Sequence, residues 1–456
     1  MVKKISSLIG LKIEDFLMLI ENKEVLTVRK ARLIPIYKTG DEMSLTSIFL
    51  SSLRLVKEFR KQIFSTVNLS MAGKIYVFTE VNFKELKGEQ PDGLIIIVSA
   101  GKIKDAALLE VKNRNSELAE DQILRYLEVA KRFHIKKLIT ISNQFVSTPT
   151  QTPLHIKVPK NVALYHLSWS YIMTLAHILL FENDNNIEDE DQVEIMREVV
   201  KYFDHNVSGV NGFTIMKPGW KNVIDKMRSK SSLRKNDPDV IDTVSSWLQK
   251  ERDMALVLSR ELGLLVKSGI PKFKTNLKGR IDHEVKCLLD NKALSSTLQI
   301  SDAASNIEVT ARFDARQVQM EVILNPPEDK TNRGKIGWVR NQILTAQKRD
   351  QKAFGKIESE LALYIYIKRQ KEPSKVLLSD MDDAWERFKD REIRNFGIRQ
   401  EKNLARNFES RKNIVKSIED MLVDYYTGVV QYLKAWIKPA PKTQQQVDNK
   451  SLDSLD

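Results

Sequence analysis

Two short apolar runs, Leu94 to Val98 and Ala106 to Val111, constrain this chain most, because each has strand length and the turn-prone SAGKIKD stands between them. They read as a β-hairpin with a bent loop. Asp121 to Phe133 then sets Ile123, Leu124, Leu127, Ala130 and Phe133 at helical spacing, and KKLITISNQF follows as the β-rich run that adds a parallel strand after a crossover helix. Upstream, Gly40 and Asp41 mark a turn and a helix cap. The stretch DEMSLTSIFLSSLRLVKEFRKQIF predicts one helix with Leu45, Phe49, Leu53, Val56 and Ile63 on a single face, and Gly73 to Phe83 alternates as a strand. Val162 to Trp169 reads as a further strand and Tyr171 to Phe181 as a helix. This order of elements predicts an α/β domain whose mixed sheet is flanked by helices.

The hairpin carries charge where an ordinary strand pair carries none. Asp92 begins the first strand, and Glu110 and Lys112 close the second. At a period of two, Glu110 and Lys112 share one face while Val111 points to the other. Asp92 and Glu110 offer oxygen ligands to a hard divalent cation, and Lys112 stands where it could orient an attacking water, the combination that phosphodiester hydrolysis needs. The competing reading is a solvated hairpin in which Glu110 and Lys112 form a surface pair worth under about 1 kcal/mol. Glu42 opens the upstream helix on its apolar face, either complementing the helix dipole or adding a third acid beside a metal. Glu80 competes for that role and ranks below it. Gln122 and Tyr126, four apart, lie on one side of the helix that follows Lys112.

With QPD, EVK and QILRY in this order, roughly the first third of the chain resembles the PD-(D/E)XK nuclease superfamily, in its RecB-like branch with a Q-x-x-x-Y helix. The resemblance implies a restriction-endonuclease-like core, with Asp92 and Glu110 as ligands of Mg²⁺ or Mn²⁺ and Lys112 as the catalytic lysine. Gln122 and Tyr126 would support the site or contact the strand. It implies a metal-dependent nuclease, with DNA favoured as substrate and restriction, repair or phage defence as its setting. The alternative is a catalytically inert nuclease-fold module acting in nucleic-acid binding or as a subunit of a larger complex.

Lys and Arg number 73 against 60 Asp and Glu, a net +13 that suits a polyanionic partner. A single cysteine, Cys287, excludes an internal disulfide and a cysteine-based zinc site, fits a reducing compartment, and reads as a small buried hydrophobe. MVKKISSLIGLKIEDF is interrupted by Lys12, Glu14 and Asp15, so it does not read as a signal peptide, and no apolar run reaches membrane length. A soluble, cytoplasmic protein without a membrane partner is expected. His155, His166 and His177 share no metal-ligand spacing.

The organisation predicted is a nuclease-like domain over 1–181, a helical linker region over 182–268, a C-terminal α+β region over 269–437, and a disordered tail over 438–456. KMRSKSSLRKND, from Lys226 to Asp237, is basic and Ser-rich, a linker or a phosphate contact. Val240 to Leu265 reads as a long helix, Lys272 to Pro326 as a small antiparallel β unit, and Asp382 to Trp436 as helical throughout, its charges alternating in sign. Arg312, Arg316, Arg333, Lys335 and Arg340 form either a basic face beside Trp338 or the scattered cations that solubility produces. The C-terminal region would serve a protein partner or a homo-oligomer. The sequence shows no P-loop and no helicase-like motif.

Overall fold

The computed structural model describes residues 8–21, 26–30, 41–83, 90–114, 116–146, 149–154, 156–181, 187–205, 208–210, 212–270, 273 and 276–437. His155, residues 182–186 and the expected tail over 438–456 lie outside the described residues. The architecture is α/β, with one mixed six-stranded sheet, one antiparallel seven-stranded sheet, and helices. No helix among the described residues is long and apolar enough to cross a membrane.

Two compact units divide the chain. The first comprises 1–301, 306–320 and 401–426. Its α1 (Ile13–Glu21) and β1 (Leu26–Lys30) precede α2 (Glu42–Leu55), α3 (Lys57–Thr66), β2 (Lys74–Phe83), β3 (Gly93–Ser99) and β4 (Lys102–Val111). Then come α4 (Glu120–Arg132), β5 (Lys137–Ser142), β6 (Ala163–Ser168) and α5 (Trp169–Phe181). The strands lie in sequence order, antiparallel from β1 to β4 and parallel from β4 to β6. β3 is buried along almost its whole length because both faces are covered. Ile95 and Ile97 join the core under α2, α3 and α5, while Leu94, Ile96 and Val98 join Ile123, Leu127 and Phe133 on the α4 side.

The β3–β4 turn is tighter than the bent loop expected. Ala100 and Gly101, both at positive φ, make a two-residue turn, and a register shift between Ile97 and Val98 absorbs the extra length. The expected single helix from Asp41 onward is two. Val56 has extended backbone between them, and Ser52 Oγ donates to Ile48 O, a back-bond that bends a helix. Arg60 donates to the carbonyls of Leu53 at 2.9 Å and Arg54 at 3.1 Å, satisfying the end of α2.

Beyond α5 the first unit continues with α6 (Glu190–Asp204), α7 (Gly219–Arg228) and α8 (Pro238–Leu262), the last capped by Asp237 and ended by Gly263 in the left-handed conformation. After β7 (Lys267–Ser268) comes a correction to the expected β unit: Leu277–Asn291 is a helix, α9, and the strands begin only at β8 (Ala293–Gln299), followed by β9 (Ile307–Arg312) and β10 (Gln317–Leu324).

The second unit comprises 302–305, 321–400 and 427–456. It holds α10 (Asn332–Arg349), α11 (Gln351–Ile357), β11 (Leu361–Ile367), β12 (Ser374–Leu377) and α12 (Ala384–Phe388). Here the expectation of helix throughout Asp382 to Trp436 fails. Ile393–Asn403 is an eleven-residue strand, β13, paired antiparallel with β11; past residue 400 the chain is back in the first unit, where the long helix, α14 (Asn413–Gly428), starts only after the short α13 (Arg406–Glu409). The second sheet runs in the order β12-β11-β13-β10-β9-β8-β7.

Candidate active site

The charged residues of the hairpin meet at the edge of the first sheet where β4, β5 and β6 end, the edge on which open α/β sheets present ligands. Asp92 precedes β3, and its Oδ2 accepts a hydrogen bond from Val111 N at 2.7 Å, which ties the start of one strand to the end of the next. Lys112 is held through its backbone on both sides: its N donates to Ile141 O at 2.8 Å, and its carbonyl accepts from Trp169 Nε1 at 3.0 Å. With the backbone fixed, the side chain projects on the Glu110 face, and Lys112 Nζ lies 2.6 Å from Glu110 Oε1.

Glu42 reaches the same place from α2. Asp41 caps that helix by accepting from Ser44 N at 2.6 Å, so Glu42 occupies its first turn. Its Oε1 accepts from Asn113 N at 3.1 Å and its Oε2 lies 3.7 Å from Lys112 Nζ. Glu110 and Glu42 therefore share one ammonium, whose charge also acts on Asp92. Lys112 and Glu42 keep 16% and 31% of their side-chain exposure, whereas Glu110 keeps 1%, so the cluster is buried at one end and open to solvent at the other.

The electrostatics follow from that arrangement. Burial pushes the Asp92 carboxyl well above the usual carboxylate range, and the Glu110 charge adds to it; the Val111 hydrogen bond and the Lys112 charge oppose them. Glu110 is raised by burial as well, against its hydrogen bond to Lys112. For Lys112 burial works downward, but the Glu110 hydrogen bond and the charges of Glu110, Asp92 and Glu42 outweigh it, and its pKa ends raised. Glu110 Oε2 is buried with no hydrogen-bond partner among the described residues.

Gln122 and Tyr126 stand one step back. Gln122 Nε2 donates to Tyr126 OH at 3.0 Å, and Tyr126 OH donates to Gln90 O at 3.1 Å. The Tyr126 ring is 1% exposed within the core on the α4 side, so this pair fixes the residues that lead into Asp92. Glu80, the competing acid, lies at positive φ on β2, where its N donates to Asp92 O at 3.1 Å.

Asn113 belongs to the site and has no motif to announce it. It is 3% exposed, and its Nδ2 donates to Ser208 O at 2.7 Å while its N serves Glu42. The approach is close because Gly209, at φ +74°, has no side chain: a Cβ there would meet Arg114 Cγ at 2.6 Å and Asn113 Nδ2 at 2.8 Å. Thr140 pairs with Glu110 in register, and Thr140 Oγ1 lies 2.9 Å from Nδ1 of His166. His166 is fully buried and its pKa falls to about 4, so it is a neutral structural group at pH 7.

Several of the cations read as either a basic face or scattered surface charges have partners. Arg312 bonds Asp314, Arg316 bonds Glu409, Arg333 lies over the Trp385 ring, and Arg340 bonds Asp382. Cys287 is half-buried, 3.7 Å from His283 Nε2, a correction to the buried position expected. Among the described residues no three His, Cys, Asp or Glu side chains are gathered as a formed cation site. The chain matches no family model, no curated protein and no solved structure.

Proposed function

We propose that this chain is a metal-dependent nuclease with a restriction-endonuclease-like core, hydrolysing phosphodiester bonds with DNA as the favoured substrate. The observation that carries the proposal is the gathering of Asp92, Glu110 and Glu42 about the ammonium of Lys112, which pairs with Glu110 and Glu42, at a sheet edge where Glu110 is buried and both Asp92 and Glu110 are raised. The donor set is all oxygen and includes one buried, unpartnered atom, Glu110 Oε2, so its chemistry suits Mg²⁺ or Mn²⁺ held by Asp92 and Glu110 with Glu42 beside them. Such a cation supplies Lewis acidity toward a phosphate oxygen and lowers the pKa of water.

The chain's own groups do the rest. Val111 N fixes the Asp92 carboxylate. Lys112, with its pKa raised, stays protonated at neutral pH, so it donates hydrogen bonds to water and to a phosphate oxygen, and general-base work falls outside its reach. Tyr126, through Gln90, keeps Asp92 in register with Glu110. The test is incubation of supercoiled, linear and single-stranded DNA, with an RNA arm, in Mg²⁺ or Mn²⁺ and in chelator. Cleavage that stops in chelator supports the reading and names the substrate; cleavage indifferent to chelator, or of none of the four, overturns it.

A further inference from the structure

The basic, Ser-rich segment after α7 lines an open cleft of about 740 Å³, with Arg228, Lys230, Ser231, Ser232, Lys292 and Arg316 around it and the buried Ile224 and Phe313 beneath. The cleft shares no residue with the Asp92–Glu110–Lys112 cluster. Its charge is one-sided. Among the lining residues Asp314 is the one carboxylate, and it is already bonded to Arg312 at 2.8 Å. Arg228 and Arg316 share a single further acid, Glu409. Lys292 Nζ reaches only a carbonyl of its own helix, Leu289 O at 2.6 Å, and Lys230 is exposed with no ion-pair partner among the described residues.

The backbone makes the same point independently. Lys230, Lys292 and Arg316 all adopt the left-handed conformation, at φ +55°, +54° and +50°. That region costs free energy for any residue with a Cβ, and glycine or asparagine would fill it more cheaply. Helix ends account for part of the choice, since Lys230 follows α7 and Lys292 caps α9, where a cation complements the dipole. Arg316 sits in the turn between β9 and β10, where no helix end calls for one. Among the described residues eleven non-glycine positions have positive φ; the three that lie on this cleft all carry cations.

We propose that this cleft holds the sugar-phosphate backbone of a nucleic-acid strand through Arg228, Lys230, Lys292 and Arg316. The assignment rests on the nuclease reading for the identity of its polyanion, and it makes the cleft a second contact for the same strand. Ser231 and Ser232 supply hydroxyl donors at the rim, as phosphate-binding surfaces do.

The strain supplies a clean variant, because glycine at all three positions removes the cations and relieves the backbone together. Equilibrium binding of fluorescent DNA and RNA oligonucleotides, in chelator so that nothing is cut, is measured across a salt series for the full chain and for K230G/K292G/R316G. The variant should melt no lower than the parent, bind at least about tenfold more weakly at low salt, and lose about 2 to 3 from its log–log salt slope. Equal affinity and slope in the two chains, no binding by either at low salt, or equal competition by poly-glutamate would each overturn the assignment. Binding needs no catalysis, so the two readings fail separately. Loss of binding in the variant beside a parent that cuts nothing leaves the cleft and removes the nuclease. Cutting by the parent beside unchanged binding in the variant removes the cleft alone.

Discussion

Helix α8 and the end of the β3–β4 hairpin both bury charge, but only α8 gives every carboxylate a cation. On α8, Lys250 Nζ meets Asp253 at 2.7 Å and Glu419 at 2.5 Å, while Arg280 meets Glu251 at 2.6 Å and Glu284 at 3.2 Å. Burial still pushes Glu251 up to about 7, against the Arg280 charge. Lys250 and Asp253 are 0% and 1% exposed, so the cation is sealed in, and solvent reaches that cluster at Glu419, which keeps 32%. At the hairpin end Lys112 serves Glu110 and Glu42, and Asp92 has no cation within 4.0 Å among the described residues. A cluster in which every buried carboxylate has a cation is architecture, whereas one with a carboxylate left over awaits a ligand that brings positive charge.

The contrast predicts different responses to losing a lysine. Lys112→Ala is expected to lower cleavage by about 10² to 10⁴-fold and to cost less stability in urea unfolding than Lys250→Ala, because Lys112 keeps 16% of its exposure and solvent reaches the carboxylates it leaves, whereas Lys250 is 0% exposed. Unchanged turnover would take Lys112 out of the mechanism, and a large stability loss would make its cluster architectural like the other. Lys250→Ala should leave the buried Asp253 and the half-buried Glu419 without a cation and destabilise the first unit by about 3–5 kcal/mol in urea unfolding. A midpoint within error of the parent would dissolve the distinction between the two clusters.

What the sequence made legible, and what it hid, divides along the same line. The hairpin, α4 and β5 were readable because each buries a continuous run or a helical stripe, so local periodicity reports the fold directly. β13 was not. One face buries Gln400, bonded to Glu360 at 2.7 Å, and the other half-buries Arg399, bonded to Glu321 at 3.0 Å, so polar residues do interior work through partners far away in sequence. Gly397 is part of the same arrangement, since a Cβ there would lie 1.8 Å from Glu321 Oε1. α9 hid for a related reason: its inward side carries the charged Arg280 and Glu284, buried as a pair with Arg280 also bonded to Glu251, and not an apolar stripe alone. At the site, spacing placed Asp92, Glu110 and Lys112 together, and the helix cap placed Glu42. The contact of Asn113 with Ser208 carries no local signal, because it depends on a distant loop returning to the sheet edge.

Asp92 allows a test in which the sign alone decides. Its folded pKa, and that of Glu110, are raised, so the stability these groups contribute is present below the ordinary carboxylate range and is lost as pH rises through the raised values. In chelator the parent should therefore weaken from acid toward neutral pH. Asp92→Asn removes one of the two charges, and should be more stable than the parent at neutral pH by on the order of 1–3 kcal/mol, with a flatter pH profile. It should also lose the Mg²⁺-dependent rise in melting temperature. An Asn variant less stable than the parent at neutral pH, or one keeping the full Mg²⁺ shift, would mean that Asp92 is neither frustrated nor a ligand.

The smallest effect should come from the residues that only position. Tyr126→Phe keeps a ring that is 1% exposed and removes one hydroxyl, with its bonds to Gln90 O and from Gln122 Nε2. The expected stability cost is about 1 kcal/mol. If Tyr126 acts through the register of Asp92, raising Mg²⁺ should recover much of the lost turnover, because a slightly misplaced ligand is offset by mass action. Gln122→Ala should be milder still, since Gln122 reaches the site only through that hydroxyl among its described contacts. A Gln122→Ala loss as deep as that of Lys112→Ala, unmoved by Mg²⁺, would instead put the Gln122 amide on the substrate itself, and the open side of the cluster would then extend along α4.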